Sequence, residues 1–86
     1  MSIENLVSRY ITSTEKTIKK IHLWGKIKKI NTEKVEKIIE CAKAYLQDAK
    51  YYKEKKRFEV SLTAIAYCEG LIDALEMLDF ITIRKE

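Results

Sequence analysis

Between Val35 and Phe80 apolar residues recur at every third or fourth position, with no proline and a single glycine, Gly70. That spacing follows the 3.6-residue turn of an amphipathic helix and not the two-residue alternation of a strand. A β protein also needs turn residues every ~8–12 positions. The whole chain has two glycines and no proline, so it lacks them. The expected fold is therefore all-α, an antiparallel three-helix bundle in one domain over residues 1–86, with helices at about 3–22, 32–54 and 58–80.

Ser2 is placed to cap the first helix, with Glu4 in its first turn. Its stripe is Ile3, Leu6, Val7, Tyr10, Ile11, Thr14, Ile18 and Ile21. The pattern breaks at His22-Leu23-Trp24-Gly25-Lys26, where Gly25 is the expected C-terminal cap. Asn31 and Thr32 are expected to cap the second helix, whose stripe runs through Val35, Ile38, Ile39, Ala42, Tyr45, Leu46, Ala49 and Tyr52. The third helix carries Phe58, Leu62, Ile65, Tyr67, Cys68, Leu71, Ile72, Leu75 and Leu78. This is more than one stripe, so it is the expected central helix. Nothing between Lys53 and Arg57 breaks a helix on propensity alone. A turn near Lys55–Arg57 is still expected, because one rod from Thr32 to Phe80 would run roughly 70 Å at 1.5 Å per residue with its stripe uncovered. The tail Ile81–Glu86 is expected to be frayed or extended.

Composition narrows the setting. A chain of 86 residues buries roughly 60–65% of its surface. Two cysteines supply no disulfide framework, so packing or self-association must hold the fold. Cys41 and Cys68 fall within helices, as small buried hydrophobes. Met1–Tyr10 has no signal-peptide core, and no apolar run approaches the ~18 residues that span a bilayer. A cytoplasmic protein with no membrane segment is expected. Charge is uneven: Lys16–Arg57 holds 14 basic and 5 acidic residues, and Phe58–Ile83 holds 5 acids and no base. Pairing between neighbouring helices is the plainer account, and attraction of an acidic partner the sharper one.

Two resemblances follow from the hairpin. Tyr45, Ala49, Tyr52, Phe58, Ser61, Ile65 and Cys68 are spaced similarly to a tetratricopeptide-type helical hairpin, with small residues for close approach and aromatics beside the turn. Asp48 and the lysine-rich turn depart from it, and no second copy is present. Ala44–Tyr52, Phe58 and Ala66–Leu75, above all Tyr67-x-x-Gly70-Leu71-Ile72-Asp73-Ala74, resemble a small archaeal family of unknown function that forms helical bundles. The turn departs here too, lacking that family's Gly-Asp. The resemblance implies fold and a cytoplasmic origin, and no activity. A weaker likeness to HEPN domains implies no ribonuclease site, since His22 has no arginine four to six residues before it.

The candidate sites are few. Glu69, Asp73 and Glu76 share a helix face, but a transition-metal site would need interleaved histidines. They read as a solvated face or a set of partners for lysines, and no metal or cofactor is expected. Gly70 costs roughly 1 kcal/mol relative to alanine inside a helix, which implies close approach of the second helix at Ala42 or Ala49. Lys16, Lys19, Lys20, Lys26, Lys28 and Lys29, with His22 and Trp24 among them, form a possible nucleic-acid contact: lysines neutralise phosphates and indole stacks on bases. The helix-packing set is Tyr45, Ala49, Tyr52, Phe58, Tyr67, Gly70 and Asp73. No nucleophile elbow, phosphate loop or Cys–His pair points to an enzyme. Tyr51, Val60, Ala64 and Met77 lie off the main stripes, and contiguous apolar surface of that kind marks an interaction site. The expected role is association with a protein partner or a second copy; nucleic-acid binding by the lysines around Trp24 is the alternative.

Overall fold

The computed structural model describes residues 2–23 and 32–84. Its elements in chain order are α1 (Ile3–Lys19), β1 (Ile21–Leu23), α2 (Thr32–Glu54), α3 (Phe58–Met77) and β2 (Ile81–Ile83). The three helices pack on one another, so the expected all-α three-helix bundle stands.

Helix α1 starts where its cap directs it. The Ser2 hydroxyl accepts from the Asn5 N–H at 3.1 Å, and Glu4 lies in the first turn. Val7, Ile11 and Thr14 are its buried face. In α2 that face is Val35, Ala42, Leu46 and Ala49, and in α3 it is Ser61, Ala64, Ile65, Cys68, Ile72 and Leu75. Small residues line the α2–α3 contact. Ala42, Ala49, Ser61 and Cys68 are fully buried, and the Ser61 hydroxyl donates to the Ala49 carbonyl at 2.6 Å. Close approach thus coexists with a satisfied polar group.

The turn falls where the cationic cluster suggests, without a glycine. Lys56 takes a left-handed conformation (φ 59°). Its N–H donates to the Lys53 carbonyl, and the Arg57 N–H donates to that of Tyr52. These two bonds are a Schellman motif. Asp79 repeats it after α3 (φ 62°), with its N–H on Glu76 and the Phe80 N–H on Leu75.

Several expectations are corrected. The first helix ends at Lys19, not 22, with Lys20 as its C-cap; Gly25, the expected cap, lies outside the described residues. The third helix ends at Met77, short of 80. Of the tail, expected to be frayed or extended, Ile81–Ile83 is extended, and it does more than the expectation said: it pairs antiparallel with Ile21–Leu23, in the register Ile21 with Ile83, His22 with Thr82 and Leu23 with Ile81. The Arg84 N–H extends this ribbon to the Lys20 carbonyl at 2.8 Å. Burial explains the pairing, since Ile81 is 1% exposed and belongs to the core. Ala64 is also core, whereas Cys41 is exposed. Gly70 is exposed, and a Cβ built on it meets nothing within 4 Å, so α2 does not approach it. The expected capping residue Asn31 lies outside the described residues.

Candidate functional site: the open face of the α2–α3 hairpin

Helix α1 covers one side of the hairpin. Thr14, buried on α1, donates its hydroxyl to Glu69 of α3 at 3.2 Å, and Lys50 of α2 donates to Glu15 of α1. The Glu15 carboxyl is held below its ordinary value of 4.5, first by that hydrogen bond and then by the Lys50 charge.

The other side of the hairpin faces solvent. On α2, Ile38, Cys41, Tyr45 and Tyr52 recur at spacings that keep one helical face, which also carries Lys34 at its start and Asp48. On α3, Val60, Tyr67, Leu71 and Ala74 do the same, and Leu78 follows at the C-cap. The rows meet where the Tyr45 and Tyr67 rings stack, with centroids 5.4 Å apart and planes 22° from parallel. Tyr67 nevertheless stays 60% exposed, Leu78 56% and Ile38 37%. A shallow depression beside Tyr67 is lined by Leu62, Thr63 and Ala66.

Of the helix-packing set, Tyr45, Ala49, Tyr52, Phe58 and Tyr67 all lie at the hairpin, with Tyr45 and Phe58 packed against the core. Gly70 and Asp73 do not serve packing there, both being exposed. Asp73 and Glu69 line a small polar recess with Thr14, Thr17 and Ile72. Among the described residues, no three His, Cys, Asp or Glu side chains form a group that could hold a metal ion. The lysine cluster is only partly on view. Lys16 and Lys19 project from α1, and Lys20 caps it. Trp24, Lys26, Lys28 and Lys29 lie outside the described residues.

A second feature escaped the sequence reading. At the α2–α3 turn, Lys55 Nζ sits 5.5 Å from the Tyr51 ring centroid and Arg57 Cζ 5.5 Å from that of Tyr52. The two rings meet edge to face at 5.1 Å. Lys55 reaches Tyr51 by the ordinary four-residue helical spacing, whereas only the turn geometry brings Arg57 onto Tyr52.

The class these observations define is a small three-helix bundle closed at one end by a short two-stranded ribbon. Within it, a family model described as a protein of unknown function, DUF357, matches residues 9–81, and the chain belongs to that family. No curated protein and no solved structure matches the chain.

Proposed function

We propose that the protein acts by association, and that the open face of the hairpin docks on a second copy of the same face. The observation that supports this reading is Tyr67, stacked on Tyr45 yet 60% exposed at the middle of a two-helix surface rich in apolar side chains. Two amphipathic hairpins joined by such faces make a four-helix bundle, in which each row gains the neighbour it lacks in one chain. The molecule's shape agrees. Its radius of gyration is 13.8 Å, against roughly 12 Å for a compact domain of this length. Its surface is 6227 Å², against roughly 5,300 Å² for a typical monomer of its 10.1 kDa mass. That excess is on the order of the ~800 Å² each partner contributes to a standard interface.

The reading takes the chain as non-enzymatic and its thiols as reduced, in keeping with a cytoplasmic setting. No helix among the described residues is long and apolar enough to cross a membrane. Sedimentation equilibrium of the wild type and of Tyr67→Lys tests the proposal. A dimeric mass that reverts to monomer in the variant, with helical circular dichroism unchanged, supports it. A wild type that remains monomeric at ~100 μM, a concentration that would populate any association tighter than roughly −5 kcal/mol, overturns it.

A further inference from the structure

We propose that the tip of the α2–α3 hairpin, from Tyr51 to Arg57, binds single-stranded nucleic acid, with Tyr51 stacking a base and Lys55, Lys56 and Arg57 neutralising neighbouring phosphates. This surface adjoins the open face at Tyr52, but Tyr51 and Lys55–Arg57, which carry it, lie outside that face.

Four observations carry the inference. First, Lys53, Lys55, Lys56 and Arg57 lie within five consecutive residues, with Glu54 the only acid there and Glu59 the next one along. Second, the backbone keeps the charges outside: the Schellman turn holds Lys56 left-handed, and Lys55, Lys56 and Arg57 are all exposed. Third, two tyrosines interleave with them. Tyr51 is 55% exposed and is not part of the core, so core packing does not account for it. Fourth, rings and cations are already assembled, with Lys55 over Tyr51 and Arg57 over Tyr52.

This pairing of π-face and cation is the recognition element of single-strand binders, where stacking tolerates any base and lysines follow the backbone. In the free protein the Lys55 ammonium rests on the Tyr51 ring. A base that takes that face releases the ammonium toward the phosphate beside it, so one nucleotide satisfies both groups. A duplex hides its base faces within the stack and leaves the ring unused. The tip is also at the opposite end of the bundle from the β1–β2 ribbon, because α3 runs from Phe58 to Met77 between them. It is therefore distinct from Lys20, which caps α1 beside that ribbon.

The test is fluorescence polarisation with a labelled oligouridylate of ~12 nucleotides at ~50 mM salt. Saturable micromolar binding is expected, weakening with salt at a log–log slope near −2 for three phosphate contacts on a single strand. Tyr51→Ala is expected to weaken it about tenfold, the size of one lost base stack, while Tyr51→Phe keeps it. Lys55→Glu with Lys56→Glu is expected to abolish it, with the helical circular dichroism unchanged. The proposal is overturned by the absence of saturable binding below ~100 μM, the weak end of non-specific affinity. It is equally overturned if Tyr51→Ala binds like wild type, or if a duplex or an acidic peptide of matched charge binds as tightly.

Discussion

Gly70 shows how a single residue's purpose depends on its neighbours. Its helical position raises the chain's free energy wherever it sits, yet nothing occupies the space a side chain would take, and its φ is not positive. Gly70→Ala is therefore expected to stabilise the fold by about 0.5–1 kcal/mol. A higher urea midpoint with an unchanged m-value would show it, and a lower midpoint would reveal a contact the single chain lacks. Ser61 is the opposite case, fully buried with its hydroxyl 2.6 Å from the Ala49 carbonyl. Ser61→Ala should cost about 1 kcal/mol for the lost hydrogen bond, and Ser61→Leu considerably more, because extra methylenes would force α2 and α3 apart.

Two titrating groups add residue-scale signatures. Because folding lowers the Glu15 carboxyl's pKa, the Lys50 pair contributes stability above the ordinary carboxylate range. That contribution is lost as pH falls below 4.5 through the lowered value. Glu15→Gln should flatten the acid limb of the stability profile, as read by thermal melts. Burial, with a smaller effect of the Glu69 charge, pushes the Cys68 thiol up to about 11, while Cys41 is exposed. A disulfide exchange reagent at pH 8 should label one thiol in the native protein and two in guanidinium. Two labelled at once would mean that Cys68 is not enclosed.

At the scale of elements, both α2 and α3 end in Schellman motifs whose left-handed residue is not glycine but Lys56 or Asp79. A non-glycine residue there carries a penalty of roughly 1 kcal/mol, so Asp79→Gly should raise the melting temperature by several degrees for a domain of this size. The β1–β2 ribbon fastens the far end of the bundle. Ile81→Ala should cost about 2–4 kcal/mol, as its side chain is core, whereas Thr82→Ala should stay within ~0.5 kcal/mol. Equal effects on denaturant midpoints would contradict the assigned register.

These elements also show what the sequence could reveal. Helices leave a periodic trace because burial selects one face, and Val7, Ile11 and Thr14, or Ala42, Leu46 and Ala49, record it. The Lys53–Arg57 turn was legible from the length a continuous rod would need. The ribbon was not, since strands of three residues have no period to detect and Ile21 meets Ile83 across most of the chain. Gly70's cost was legible, but its empty surroundings were not. The open face was barely legible: of Tyr51, Val60, Ala64 and Met77, expected off the main stripes, Val60 alone lies in it and Ala64 is core, whereas Tyr67 was placed in the packing stripe, because periodicity does not tell which side α1 covers.

For the whole molecule, the consequence is a slab with Cα extents of 43 × 26 × 16 Å. Helix α1 protects one side of the hairpin, and the Tyr45–Tyr67 row lies on the other. Charge is uneven: the tip is basic, and α3 carries acids with no base. Face and tip thus offer an apolar and an electrostatic surface on one small body. Their salt responses should differ. Burial of the apolar face should persist at high salt, while polyanion binding at the tip should fade.

The face itself is tested most directly by isotope-filtered nuclear Overhauser spectroscopy on a mixture of labelled and unlabelled protein. Contacts from the Tyr67 and Tyr45 rings of one copy to the Ile38 and Leu78 methyls of another are the expected result, vanishing in Tyr67→Lys. Spectra with no intermolecular contact to those rings, at a concentration where the protein is self-associated, would contradict the account.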